Sequence, residues 1–114
     1  MKKTALSFLL FMYACLGIAS FSLADDSLWI DVRTNKEYAE DHIQGDINIP
    51  HDKIAEEIGK TITDKNTDIH LYCRSGKRAG LAQETLKKMG YTHVTNEGGI
   101  ADARKKRHLD SSNQ

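Results

Sequence analysis

Ile69-His70-Leu71-Tyr72-Cys73-Arg74-Ser75-Gly76-Lys77-Arg78-Ala79-Gly80, running on through Leu81-Ala82-Gln83-Glu84-Thr85-Leu86-Lys87-Lys88-Met89, decides how this chain is read. An apolar four-residue run leads into a short loop containing Ser75 and Gly76, and a helix-forming stretch follows. The order strand, tight loop, helix places Cys73 at a helix N-terminus.

That position has a chemical meaning. Unpaired amide N–H groups at a helix start act as roughly half a positive charge, and Arg74, Lys77 and Arg78 stand beside them. Such surroundings are expected to lower a thiol from its free value of about 8.5 and populate the reactive thiolate near neutral pH. Gly76 is free to take a positive φ and turn successive N–H groups inward as an anion cradle, with Ser75 adding a hydroxyl donor. The competing reading is a buried structural cysteine beside a solvated basic turn.

Working outward, Ser27 to Val32 reads as a β-prone run. Thr34-Asn35-Lys36-Glu37 has capping-box spacing, so a short helix through Asp41 is expected. Asp46 to Ile49 reads as a second strand stopped by Pro50. Ile54, Ala55 and Ile58 recur at helical spacing, with Gly59 as the expected stop, and Thr61 to Thr67 reads as a polar connector. After the strand Ile69 to Tyr72 and the helix Ala79 to Met89, Gly90 is the expected left-handed cap. His93 to Asn96 is a fourth strand, and Gly98-Gly99 opens a last segment from Ile100 to Leu109. Alternating strands and helices imply an α/β fold, a small parallel sheet flanked by helices on both faces, with ligands beyond the carboxyl ends of the strands. Cys73 stands at such an end.

Residues 1–24 read as a secretory signal. Lys2 and Lys3 precede an apolar stretch from Ala5 to Ala19, and Ser22-Leu23-Ala24 supplies small residues before Asp25, so cleavage is expected after Ala24. An uncleaved anchor and lipid attachment at Cys15 are weaker readings, the latter because Tyr13 is bulky. The 114 residues carry 16 basic and 16 acidic side chains. Losing Lys2 and Lys3 with the leader leaves 14 basic against 16 acidic, a balance that argues against a nucleic-acid partner. Residues 25–109 make one domain, and residues 110–114 read as a disordered tail. Of the two cysteines only Cys73 survives leader removal, so an internal disulfide is excluded. The five histidines, His42, His51, His70, His93 and His108, include no pair at helical spacing, so neither a metal site nor a cofactor is expected.

Asp31-Val32-Arg33, Glu37-Tyr38, His42-Ile43-x-Gly45, Asn48-Ile49-Pro50 and Cys73-Arg74-Ser75-Gly76-x-Arg78 together resemble the single-domain rhodanese family in order and spacing. The resemblance runs from about Trp29 to Gly99. It implies a three-layer rhodanese-like fold and thiosulfate sulfurtransferase activity. Cys73 would carry the sulfur as a persulfide to cyanide or a thiol, and Arg74, Ser75, Gly76, Lys77 and Arg78 would bind the anionic donor. With the leader, a periplasmic location is expected, without stable membrane association. The alternative from another class is a non-catalytic sulfane-sulfur carrier or stress-response binding module.

Loop length separates this reading from the related cysteine phosphatases, whose cradle is Cys-x5-Arg, whereas Cys73 to Arg78 is Cys-x4-Arg. Mercaptopyruvate-using relatives tend to have uncharged loops, and three cations here favour an inorganic dianion. Asp46 and Ala79 stand where the family often has a small residue and a serine, and Asp46 reads as a solvated edge charge. Asp31, Arg33 and Glu37 are expected to form a structural ion-pair network rather than an acid-base set. His70 is expected to be a satisfied packing residue, Trp29 and Tyr38 core, and the run Arg104 to His108 a solvated helix end.

Overall fold

A computed structural model describes residues 27–109; the leader, its cleavage point and the tail lie outside the described residues. In chain order the elements are β1 (Leu28–Asp31), α1 (Asn35–Glu40), β2 (Ile47–Asn48), a 3-10 turn (His51–Lys53), α2 (Ile54–Thr61), β3 (Asp68–Cys73), α3 (Lys77–Lys88), β4 (His93–Gly99) and α4 (Ile100–Lys106). The four strands form one sheet in the order β2-β1-β3-β4, with every pairing parallel. The register sets Ile30 opposite Ile47 and Leu71 on its other side.

The two-residue side-chain period of β3 divides the core. Ile69, Leu71 and Cys73 join Ile30, Val32, Ile54, Ile58, Ala79, Ala82 and Leu86 in the larger cluster, under α2 and α3. Tyr72 faces the other way and packs with Ile43 and Ala103, flanked by Trp29, Ile100 and Leu109. Both faces of the sheet are therefore covered, and a strand register shift lies between Leu71 and Cys73 where β3 meets β4.

Several boundaries differ from the expectations above, each for a local reason. The edge strand β2 keeps only two residues because Pro50 follows so closely. Gly59 lies inside α2: Ile58 and Ile62 are both buried, and the Ile62 N–H still reaches the Ile58 carbonyl, so packing carries the helix past the glycine. The connector after it accordingly begins with a buried isoleucine. Helix α3 starts at Lys77, two residues early, because Gly76 makes the left-handed turn immediately before it (φ +97°). Gly98 and Gly99 close β4, and Gly99 is at the same time the N-cap that opens the last helix, its N–H donating to Asp102. Thr34 and Glu37 do form the reciprocal capping box, and Gly90 does take positive φ after α3.

Candidate active site

Cys73 ends β3, 1% exposed, with α3 beginning four residues on. Its Sγ accepts the Gly76 N–H at 2.9 Å. Burial pushes the thiol up, but the main-chain N–H groups of Ala79, Ser75, Gly76 and Arg78 outweigh it and hold the thiol below its ordinary value. The lowering thus comes from amides gathered by one left-handed turn, with the loop cations secondary. Ser75 contributes its main-chain N–H to the sulfur.

The cations occupy different environments. The Arg74 side chain is 74% exposed and comes no nearer to an acid than 3.9 Å, at Glu37. Lys77 is also exposed and makes no ion pair among the described residues. Arg78 is engaged: its Nη1 and Nη2 donate to the two Glu37 oxygens at 2.7 and 3.1 Å. The expected Asp31, Arg33 and Glu37 network is therefore two separate units. Arg33 folds back on fully buried Asp31, with Nη2 at 2.7 Å from Oδ2, and donates to the Asp41 carbonyl. Burial works against the Arg33 charge, and Asp31 more than offsets it.

Asp46 departs furthest from expectation. It is 6% exposed, accepts the Tyr72 hydroxyl at 2.7 Å, and takes two bonds from Arg107 at 2.7 and 3.1 Å. Burial and the Asp46 carboxylate keep Tyr72 protonated. Arg107 also stacks over Trp29. The basic run is consequently a set of ties rather than a solvated end. Arg104 pairs with Asp41, Lys106 with Glu97 and Arg107 with Asp46. His70 stacks on Trp29, with Asp68 and Glu97 on its two ring nitrogens. Trp29 and Tyr38 are half-buried, and the Tyr38 hydroxyl donates to the Asp46 carbonyl.

Two contributors had not stood out in the sequence. Gly99 lies so close to the loop that an added Cβ would sit 2.1 Å from the Arg74 carbonyl oxygen. Two glycines at a strand end are a recognisable signal of close backbone approach. Asn96, on β4, spans the same gap with its side chain, and no local pattern marks it. A cavity of about 360 Å³, lined by Ser27, Leu28, Thr61 to Asp64 and Thr67, lies at the opposite end of the strands from Cys73. The Cys73 sulfur and its amides, not that cavity, define the candidate site. Among the described residues no group of three or more His, Cys, Asp or Glu is arranged to hold a metal ion.

Comparison with known proteins bears on what such a loop does. A family model described as the rhodanese-like domain matches residues 21–106. The thiosulfate sulfurtransferase PspE of Escherichia coli (strain K12) is 47% identical over 74 residues, covering 65% of this chain and 71% of PspE. The putative sulfur carrier protein YrkF of Bacillus subtilis (strain 168) is 36% identical over 74 residues, 64% of this chain and 39% of YrkF. Among solved structures, a rhodanese with anions from E. coli superposes with a TM-score of 0.64 at 46% identity, covering 67% of this chain and 89% of that one.

Proposed function

The chain belongs to the rhodanese-like domain family, whose sulfurtransferase activity it shares, and from that membership we propose that it moves a sulfane sulfur from thiosulfate through a persulfide on Cys73 to cyanide or a thiol. The observation that carries this reading is the Cys73 Sγ taking the Gly76 N–H at 2.9 Å inside a turn whose amides favour the thiolate.

The steps follow from that geometry. The Cys73 thiolate attacks the outer sulfur of thiosulfate. The sulfur–sulfur bond breaks with its electron pair leaving on sulfite, and the enzyme keeps a persulfide anion. Three negative charges enter this step and three leave it. Cyanide carbon, or a thiolate, then attacks the terminal sulfur, and the bonding pair returns to Cys73. No oxidant or reductant is consumed, and the two half-reactions give ping-pong kinetics. The inward amides stabilise the anion on either sulfur without reorganising, because the fold has already aimed them. Arg74, exposed and only loosely paired with Glu37 at 3.9 Å, and exposed Lys77 meet the sulfonate oxygens. Arg78, tied to Glu37, contributes its amide and a fixed positive charge at the loop's edge.

The leader supports export to the periplasm, with Asp25 as the first residue of the mature protein; intact mass of the exported protein tests this. A second reading, a sulfane-sulfur carrier, is favoured by the likeness to the putative sulfur carrier YrkF. Both readings load Cys73 and differ in how fast the sulfur leaves. Thiocyanate formation from thiosulfate and cyanide, measured beside Cys73→Ser with intact-mass detection of the sulfur adduct, separates them. Turnover in the parent alone is expected. A stable adduct without turnover means a carrier, and thiocyanate from the Cys73→Ser protein overturns the assignment.

A further inference from the structure

The turn that supplies the amides to Cys73 has an external brace. Asn96, on β4, donates from Nδ2 to the Gly76 carbonyl at 2.9 Å, while its Oδ1 accepts the Gly98 N–H at 2.9 Å. The same side chain lies against the Gly76 and Gly80 α-carbons: a Cβ on either would come within 3.6 Å of its amide atoms. Gly98 backs the turn as well, with its Cα 3.2 Å from where a Gly76 Cβ would be. The Gly76 carbonyl already receives the Gly80 N–H of the first turn of α3. Asn96 thus adds a second donor to the one peptide group that follows the left-handed residue.

We infer that Asn96 is a positioning residue for Cys73: by holding the Gly76 carbonyl against the end of β4 it fixes the left-handed turn at residue 76, and so aims the Gly76 N–H at the sulfur. A glycine at φ +97° has wide conformational freedom, and a carbonyl held from two sides removes it. The N–H of Gly76 sits on the same residue, so its direction is set once φ and ψ are set. The Asn96 side chain bonds to Gly76 and Gly98 and not to the sulfur, so it acts through the turn.

The inference rests on Cys73 being the reacting group, and its test requires no sulfur transfer. The rate of Cys73 alkylation by iodoacetamide is followed against pH for the parent, Asn96→Ala, Asn96→Asp and Gln83→Ala. Gln83 is the structural control, since it makes another side-chain tie between α3 and β4, from Nε2 to the Val94 carbonyl at 2.9 Å. Asn96→Asp keeps the acceptor for Gly98 and loses the donor to Gly76. It is measured beside the parent, both in 1 M salt, where the Debye length is about 3 Å, to screen its added charge. Asn96→Ala and Asn96→Asp are expected to alkylate about three- to tenfold more slowly below the thiol midpoint, the scale of one lost hydrogen bond, and to converge with the parent at alkaline pH. Gln83→Ala is expected to follow the parent curve. An unshifted profile in either folded Asn96 variant overturns the inference, as does an equal shift in Gln83→Ala. Failure of thiocyanate turnover with the alkylation shift intact counts against the proposed function and leaves the role of Asn96 standing.

Discussion

Glu37 and Arg78 are joined by two parallel bonds, Oε1 to Nη1 at 2.7 Å and Oε2 to Nη2 at 3.1 Å, which fasten the cap of α1 to the first turn of α3. The same carboxylate accepts the Thr34 N–H and hydroxyl. Arg78 is the main reason its pKa falls to about 2, with burial opposing and Thr34 assisting. One side chain therefore serves both the helix cap and the reaction loop.

Glu37→Gln tests that double duty through pH. Because the folded pKa is depressed, the carboxylate's contribution is present above its unfolded value of about 4.3 and is lost as pH falls toward the folded one. The variant is expected to be less stable at pH 7 by about 1 kcal/mol, the scale of an ion pair and a cap. The difference narrows as the medium is taken from pH 5 toward the folded value of about 2. Urea unfolding across that range measures it, and an undiminished gap at the acid end contradicts the pairing.

The Cys73 thiol lies below its ordinary value, so its titration contributes to stability in the opposite pH range. The native state loses the proton first, and stability attributable to it grows from the folded pKa up to the unfolded value of about 8.5. Relative to Cys73→Ser, the parent should gain stability between neutral pH and about pH 9, a span that brackets that unfolded value. Alkylation of the parent should reach half its limiting rate below the free-thiol value. A midpoint at or above that value removes the thiolate from the mechanism.

Arg33→Ala leaves the Asp31 carboxylate fully buried without its partner. Breaking one side of such a pair costs about 3–5 kcal/mol. Melting temperature should drop sharply while turnover per folded molecule changes little, because neither residue bonds to the loop at Cys73. Lost turnover at an unchanged melting temperature would place Arg33 in the chemistry instead.

Gly99→Ala carries the opposite signature. The added Cβ, 2.1 Å from the Arg74 carbonyl oxygen, forces the backbone of β4 or of the reaction loop to move. Turnover is expected to fall by more than tenfold, since misplacement of a reacting group by about 1 Å costs on the order of a hundredfold. Far-UV circular dichroism should stay near that of the parent, and full turnover in this variant would show the contact to be dispensable.

The place of Cys73, its strand and its helix were legible in the sequence because they rest on local rules: an apolar run, a glycine shortly after the cysteine, a helical period. The capping box at Thr34 and Glu37 was legible for the same reason. What escaped reading depends on residues far apart in the chain. Asp46 looked like an edge charge because its partners, Tyr72 and Arg107, are 26 and 61 positions away. Arg78 was grouped with Arg74 and Lys77 as a loop cation, and its pairing stayed hidden because Glu37 lies 41 residues before it. Asn96 sits in a polar strand end that carries no pattern at all. Local rules also stopped α2 too early, at Gly59, where the burial of Ile62 prevailed over the glycine and carried the helix to Thr61.

The attachment of α4 has a consequence for how the domain breathes. Of its seven residues only Ala103 is buried, while Arg104, Lys106 and the following Arg107 are held by Asp41, Glu97 and Asp46. Apolar burial is little altered by ionic strength, whereas partly exposed ion pairs weaken as the Debye length shrinks. This helix should therefore be the first cooperative unit to detach as salt rises, exchanging its amide hydrogens well before β1 or β3. Its first residue follows Gly99, the glycine pressed against the Arg74 carbonyl. Ionic strength thus reaches the Cys73 loop from behind, through fraying of the helix that follows Gly99, as well as from the front through screening of Arg74 and Lys77.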